Sequence, residues 1–222
     1  MTGWFGEPPD GGADDTVGCA ADGAACFAGG TLILTPAGEV PVERLRVGDM
    51  VVTPRGPAAF APLVWVGSLH IDISRQRDPT RVAPILIKAG ALSEGIPFRD
   101  LQVSPDHALL VDGLLVAARL LLNGITIVQQ SWLREVTYHH LELARHEVVV
   151  SDGALSESYL DDRNRHLFHN PGIVALAPDL AADRAAGGAC APVVAAGDPA
   201  LAAIRRRIGA RAGYLQVRRN RA

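Results

Sequence analysis

Cys26-Phe27-Ala28-Gly29-Gly30-Thr31-Leu32-Ile33-Leu34-Thr35, with the Pro36-Ala37-Gly38 turn behind it, is the stretch that decides the fold. A β-branched, apolar run closed by Pro and Gly predicts a strand over 31–35. The same texture recurs downstream, at 51–53, 63–66, 69–73, 84–87, 101–103 and 108–111. It returns at 125–128, 136–143 and 147–150, and Asp152-Gly153 closes the series. Asp112-Gly113 is a two-residue turn of the type that accepts positive φ in a hairpin. Helical patterns inside this region are short, at 42–45 and at 117–122, the second stopped by Asn123-Gly124. Many short strands with few helices predict an all-β domain over residues 24–160.

The flanks differ. Residues 1–23 lack hydrophobic periodicity and read as a flexible acidic arm; up to Ala25 they carry Glu7, Asp10, Asp14, Asp15 and Asp22 and no lysine or arginine. Residues 161–222 form an Ala/Arg-rich extension, loop-like over 166–178 and low in complexity over 181–189. A helix is predicted over 198–212, opened by Asp198 or Pro199. The arginines of this tail read as a solvated helix face.

The 222-residue chain is 48% hydrophobic and 20% charged, enough for a real core, and its net charge of −3 points to neither nucleic acid nor an anionic membrane. No apolar window is long enough for a membrane span, and the first 25 residues have no signal-peptide pattern. The expectation is a cytoplasmic chain, or one exported without a signal. Three cysteines, Cys19, Cys26 and Cys190, have no metal-ligand spacing and leave at least one thiol free. No cofactor and no metal are predicted.

From Cys26 the pattern continues through Val42-Glu43-Arg44-Leu45 to Gly48-Asp49-Met50-Val51. This resembles the opening block of Hedgehog/intein (Hint) domains: a first-position Cys, a Gly-Thr pair, a strand, a turn, a short acidic helical turn, and Gly-Asp before the next strand. Ser104-Pro105-Asp106-His107 is similar to the family's Thr-x-x-His block, with serine at the threonine position. Tyr138-His139-His140-Leu141-Glu142-Leu143, running on through His146 to Gly153, is similar to its late Tyr-Asp-Leu block. There His140 stands for the family's aspartate, or His139 if the register moves by one. The resemblance is to a bacterial Hint_2-like subfamily. It implies a compact, horseshoe-like β domain with short helices, and a partly helical C-terminal tail.

The resemblance also implies autoprocessing. Cys26 would attack the carbonyl of Ala25 in an N–S acyl shift, turning the Ala25–Cys26 peptide bond into a thioester. Cysteine suits this, because a few per cent thiolate at neutral pH is already strongly nucleophilic. His107 would protonate the leaving nitrogen, and Ser104 would orient it or donate to the tetrahedral oxygen. His140 or His139 would take the thiol proton. The chain's own N-terminal segment is then the substrate, and water, a small thiol or an alcohol the second nucleophile. Splicing inteins end in His-Asn; here Ser156-Glu157-Ser158 follows Gly153, and the sole His-Asn pair, His169-Asn170, precedes Pro171. Cleavage without splicing is therefore expected, releasing a short acidic peptide from this sequence. Two other readings stay open: a Hint-fold binding or structural module whose chemistry has decayed, and a metal- or thiol-regulated interaction protein. In the latter, His139, His140 and His146 form a surface patch or metal site, or Cys19 pairs with Cys26 or Cys190.

Overall fold

Two aspartate–glycine turns set the topology. In a computed structural model describing residues 25–158 and 188–219, Asp112 and Gly113 take φ of 53° and 82°, and Asp152 and Gly153 take 46° and 81°. Positive φ at both central residues gives the turn a twist that matches the flanking strands. The first turn joins β8 (Ala108–Val111) to β9 (Leu114–Ala117), and the second joins β12 (Val148–Ser151) to β13 (Ala154–Glu157). With β2 (Leu32–Thr35) and β3 (Gly38–Pro41) they make a six-stranded sheet of order β3-β2-β12-β13-β8-β9.

The second sheet carries the site. Its strands are β1 (Phe27–Ala28), β4 (Met50–Val52), β5 (Phe60–Asp72), β6 (Ile85–Ile87), β7 (Leu101–Val103), β10 (Ile127–Gln129) and β11 (Glu135–Leu143), in the order β10-β6-β7-β1-β11-β5-β4. The runs at 63–66 and 69–73 belong to one long strand, β5, because Gly67-Ser68 continues the pairing with β11. The sequence pattern does not show β1, β3, β9 and β13 as strands; they are short and held by their neighbours. The two helical patterns are single 3-10 turns, Val42–Arg44 and Ala118–Leu121. A mostly β fold with short helices is what the sequence predicts.

Apolar side chains from both sheets, including Phe27, Ile33, Leu63, Ile85, Leu109 and Leu141, form the main core. A second cluster gathers Cys26, Trp65, Ile71 and Tyr138 on the far side of β1. Gly67 is required there. A Cβ at Gly67 would lie 2.2 Å from the Trp65 ring, whose indole has no exposed surface. Gly67→Ala is expected to destabilise the fold by about 1–3 kcal/mol through overpacking, read as a lower denaturant midpoint at unchanged m-value.

The C-terminal helix α1 (Pro199–Arg219) is longer than the sequence pattern predicts. Asp198 accepts the N–H of Ala200 at 2.8 Å and starts it. Leu201, Ile204, Ile208 and Ala212 make its buried stripe, the first three packed into the main core. Its arginine face is not simply solvated. Arg207 bonds Asp112 at 3.1 Å and the Leu92 carbonyl at 2.9 Å, and Arg211 donates to the Gly90 carbonyl. These carbonyls lie at loop ends where no strand neighbour satisfies them. The acidic arm, Cys19 and the 166–178 segment with His169-Asn170 lie outside the described residues.

Candidate functional site

The short strand β1 sits between β7 and β11, and its register places Cys26. Phe27 pairs with His139 on one side and with Val103 on the other. In antiparallel pairs, one step back along β1 is one step forward along each neighbour, so Cys26 stands opposite His140 and Ser104. Cross-strand partners share a face. The Cys26 Sγ lies 2.5 Å from Nε2 of His140, and the Cys26 N–H donates to Ser104 Oγ at 3.0 Å. The Cys26 carbonyl accepts the Ser104 N–H at 3.0 Å. Cysteine, serine and histidine are all fully buried.

The Ser104-Pro105-Asp106-His107 segment is a tight turn, closed by the His107 N–H on the Ser104 carbonyl at 3.2 Å. It is held from outside by Arg119, whose Nε meets Asp106 at 2.5 Å and whose N–H reaches the Pro105 carbonyl. The turn brings His107 in over Phe27, with ring centroids 4.4 Å apart and edge-to-face. His107 is wholly buried, and neither ring nitrogen makes a well-formed hydrogen bond among the described residues, although the Cys26 backbone lies close enough to favour its protonated form.

Alternation along β11 separates the two neighbouring histidines. His140 faces Cys26 and packs against Trp65, 6.3 Å between centroids. His139 points the other way, toward Gly29 and the charge of Glu43. The Gly30-Thr31 pair is structural. Gly30 turns the chain at φ 84° and donates to Glu43, while the Thr31 hydroxyl donates to the Ala28 carbonyl at 2.8 Å.

Burial sets the protonation states. It pushes the Cys26 thiol far up, opposed by the Ser104 hydrogen bond, so the sulfur is a thiol at neutral pH. Burial holds His140 well below its ordinary value, with smaller contributions from His107 and His139. It also lowers His107 to about 4; Glu157 and the Cys26 backbone oppose the shift and His146 adds to it. Both rings are therefore neutral at pH 7. A neutral imidazole beside a thiol is a base beside an acid.

The same burial has a stability cost in acid. The unfolded chain gains the His107 proton near pH 6.5 and the folded chain only near 4, so stability falls as pH drops across that window. His107 by itself accounts for up to about 3 kcal/mol. A His107→Asn chain is expected to lose less stability between pH 6.5 and 4 than the parent, measured by urea titration at each pH.

His146 is not on the surface. Its side chain is 1% exposed and lies 3.3 Å from Glu157. Among the described residues, no group of three or more His, Cys, Asp or Glu side chains is arranged to hold a metal ion. Trp65 and Gly67, which wall the Cys26–His140 pair, and Glu157 carry no sequence signal of their own. Only strand register reveals them.

The family model for the Hint domain matches residues 25–163, from the residue before Cys26 to just beyond the last strand. This chain belongs to the Hint family. The match gives the two-sheet architecture its name. Solved structures similar to this Hint chain include the gp41-1 intein at 14% identity, covering 60% of this chain and 97% of that one, with a TM-score of 0.42. The bacterial intein-like domain from Clostridium thermocellum is similar at 12% identity, covering 59% and 96%, with a TM-score of 0.36. The Ssp DnaB mini-intein variant M86 is similar at 11% identity over 63% and 97%, TM-score 0.44. No curated protein sequence matches the chain. Among the described residues, no helix is long and apolar enough to cross a membrane.

Proposed function

We propose that this Hint domain is an autoprocessing device that makes a thioester at Ala25–Cys26 and is cleaved there without splicing. The observation that carries the reading is the clasp on Cys26: its sulfur on His140 and its scissile N–H on Ser104. In the first step Sγ attacks the Ala25 carbonyl carbon, and its proton passes to His140 Nε2. The carbon–nitrogen bond then breaks, leaving a thioester on Sγ and an amine on Cys26. That nitrogen must gain one proton, which balances the one lost from sulfur. His107, a neutral ring beside the Cys26 backbone, delivers it as a relay: one ring nitrogen gives its proton to the leaving amine while the other takes up the proton that sulfur lost, passed on from His140. Ser104 orients the scissile N–H throughout. Water, a small thiol or an alcohol next attacks the thioester carbonyl and releases Cys26 as a thiol.

The expectation of cleavage without splicing rests on the sequence resemblance: Ser156-Glu157-Ser158, a few residues after Gly153, stands at the place corresponding to the terminal His-Asn of splicing inteins. In β13, Glu157 accepts the Ala108 N–H at 2.7 Å and lies beside His146. An asparagine able to cyclise is not present in that strand.

Incubating the intact chain with and without dithiothreitol, and following it by mass, tests the reading. A thiol-accelerated fragment beginning at Cys26 is the expected result. A chain that stays whole under all conditions contradicts it and favours a domain kept for binding or structure.

A further inference from the structure

The two residues assigned to the scissile nitrogen are carried by different sheets. Ser104 follows β7 in the seven-stranded sheet, where its N–H meets the Cys26 carbonyl at 3.0 Å. His107 precedes β8 in the six-stranded sheet, where its carbonyl accepts the Ala118 N–H at 2.9 Å and continues the β8–β9 ladder. Pro105 and Asp106 form the corner between them. The corner's own closing bond, from the His107 N–H to the Ser104 carbonyl, is long at 3.2 Å. Its outer side is held by Arg119, in the 3-10 turn Ala118–Leu121. The Arg119 N–H reaches the Pro105 carbonyl at 2.9 Å, and its Nε reaches Asp106 Oδ1 at 2.5 Å.

That 3-10 turn has a firm base. Ala118 and Leu121 are buried in the main core together with Leu201, Ile204 and Ile208 of α1. The strand before it, β9, is bonded along its outer edge to residues 192–194, with the Leu115 N–H on the Pro192 carbonyl and the Val194 N–H on the Leu115 carbonyl, both 2.9 Å. We infer that, in the autoprocessing proposed above and on which this rests, Arg119 is a positioning residue. Its guanidinium ties down Asp106 and so fixes the corner that sets Ser104 and His107 about the Cys26 nitrogen. The side chains of Arg119 and Asp106 are 53% and 25% exposed, and an ion pair so open to water adds little to stability. Its effect is on geometry instead. Delivering a proton to the leaving nitrogen needs both residues aligned on one atom, and a misplacement of about 1 Å costs up to about 10²-fold in rate.

Arg119→Gln keeps the backbone bond to Pro105 and removes only the guanidinium, whereas Arg119→Lys keeps a cation within reach of Asp106. At saturating dithiothreitol, the fragment beginning at Cys26 is expected to appear about ten-fold more slowly in Arg119→Gln and within about three-fold of the parent rate in Arg119→Lys. The urea midpoint is expected to stay unchanged in both. A second readout needs no cleavage. In the full chain carrying Cys26→Ala, the N–H groups of residues 26 and 104 still bond β1 to the corner, and their hydrogen exchange is expected to quicken about ten-fold on adding Arg119→Gln. Amides between β5 and β11 keep their rates. An unchanged cleavage rate in Arg119→Gln overturns the role of Arg119, as does a loss that Arg119→Lys does not restore or that a lower urea midpoint accompanies. Unchanged exchange at residues 26 and 104 overturns it whether or not the parent cleaves. A parent that stays whole sinks the autoprocessing reading by itself.

Discussion

Cys26→Ala is expected to leave the chain whole under every condition that cleaves the parent, with no residual slow phase. Alanine has no nucleophile to offer the Ala25 carbonyl, and in this account the bond breaks in no other way. The substitution removes one buried sulfur from a cluster still held by Trp65, Ile71 and Tyr138, so the fold survives it. A loss of cleavage with an unchanged denaturant midpoint is therefore chemical. Cleavage at the same bond in Cys26→Ala would mean that Ser104, water or a contaminating protease does the work. Intact mass over a time course separates these outcomes.

The second large effect belongs to His140. Removing a general base typically costs about 10²–10⁴ in rate. His140→Ala is expected to slow thioester formation by that order, measured as fragment appearance at a dithiothreitol concentration above which the rate no longer rises. His139→Ala should change it by no more than a few-fold, because that ring lies on the opposite face of β11, beside Gly29 and Glu43. The adjacent pair is a built-in control, matched in residue type and strand and differing in the face presented. A larger loss from His139→Ala would overturn the placement of the base. His140→Ala also unloads Trp65, so its stability is to be measured alongside its rate.

Much of this was legible in the sequence. The Asp-Gly turns are local signals, since few other pairs tolerate positive φ at both positions, and each stands where a hairpin forms. The longer strands announce themselves by β-branched runs. Cys26, Ser104 and His107 were picked out by resemblance to known blocks, and the structure buries all three, with Cys26 bonded to Ser104 and to His140 and with His107 packed on the neighbouring Phe27.

What the sequence did not carry is register. Alternation says that only one of His139 and His140 can face Cys26, but not which. That follows from Phe27 pairing with His139, a contact between segments far apart in the chain. The Trp65–Gly67 contact behind His140 and the reach of Glu157 to Ala108 and His146 are likewise products of packing. His146, which a pattern of nearby histidines suggests for a surface patch, is buried because β13 returns Glu157 to meet it. Two of the arginines of α1, Arg207 and Arg211, depart from the solvated-face reading for the same reason, while Arg205, Arg206 and Arg218 are exposed as expected. Charge alone favours solvent, and the exposed loop carbonyls of Gly90 and Leu92, which Arg211 and Arg207 reach, appear only once the chain is folded.

The central claim is that a thioester forms on Cys26, and hydroxylamine tests it most directly, because it attacks thioesters far faster than peptide bonds. The intact chain is to be incubated with neutral hydroxylamine and the N-terminal product identified by mass. The account predicts a peptide ending in the hydroxamate of Ala25, paired with a fragment beginning at Cys26 and absent from Cys26→Ala. A chain that yields no hydroxamate, or a product ending at any other residue, would contradict it.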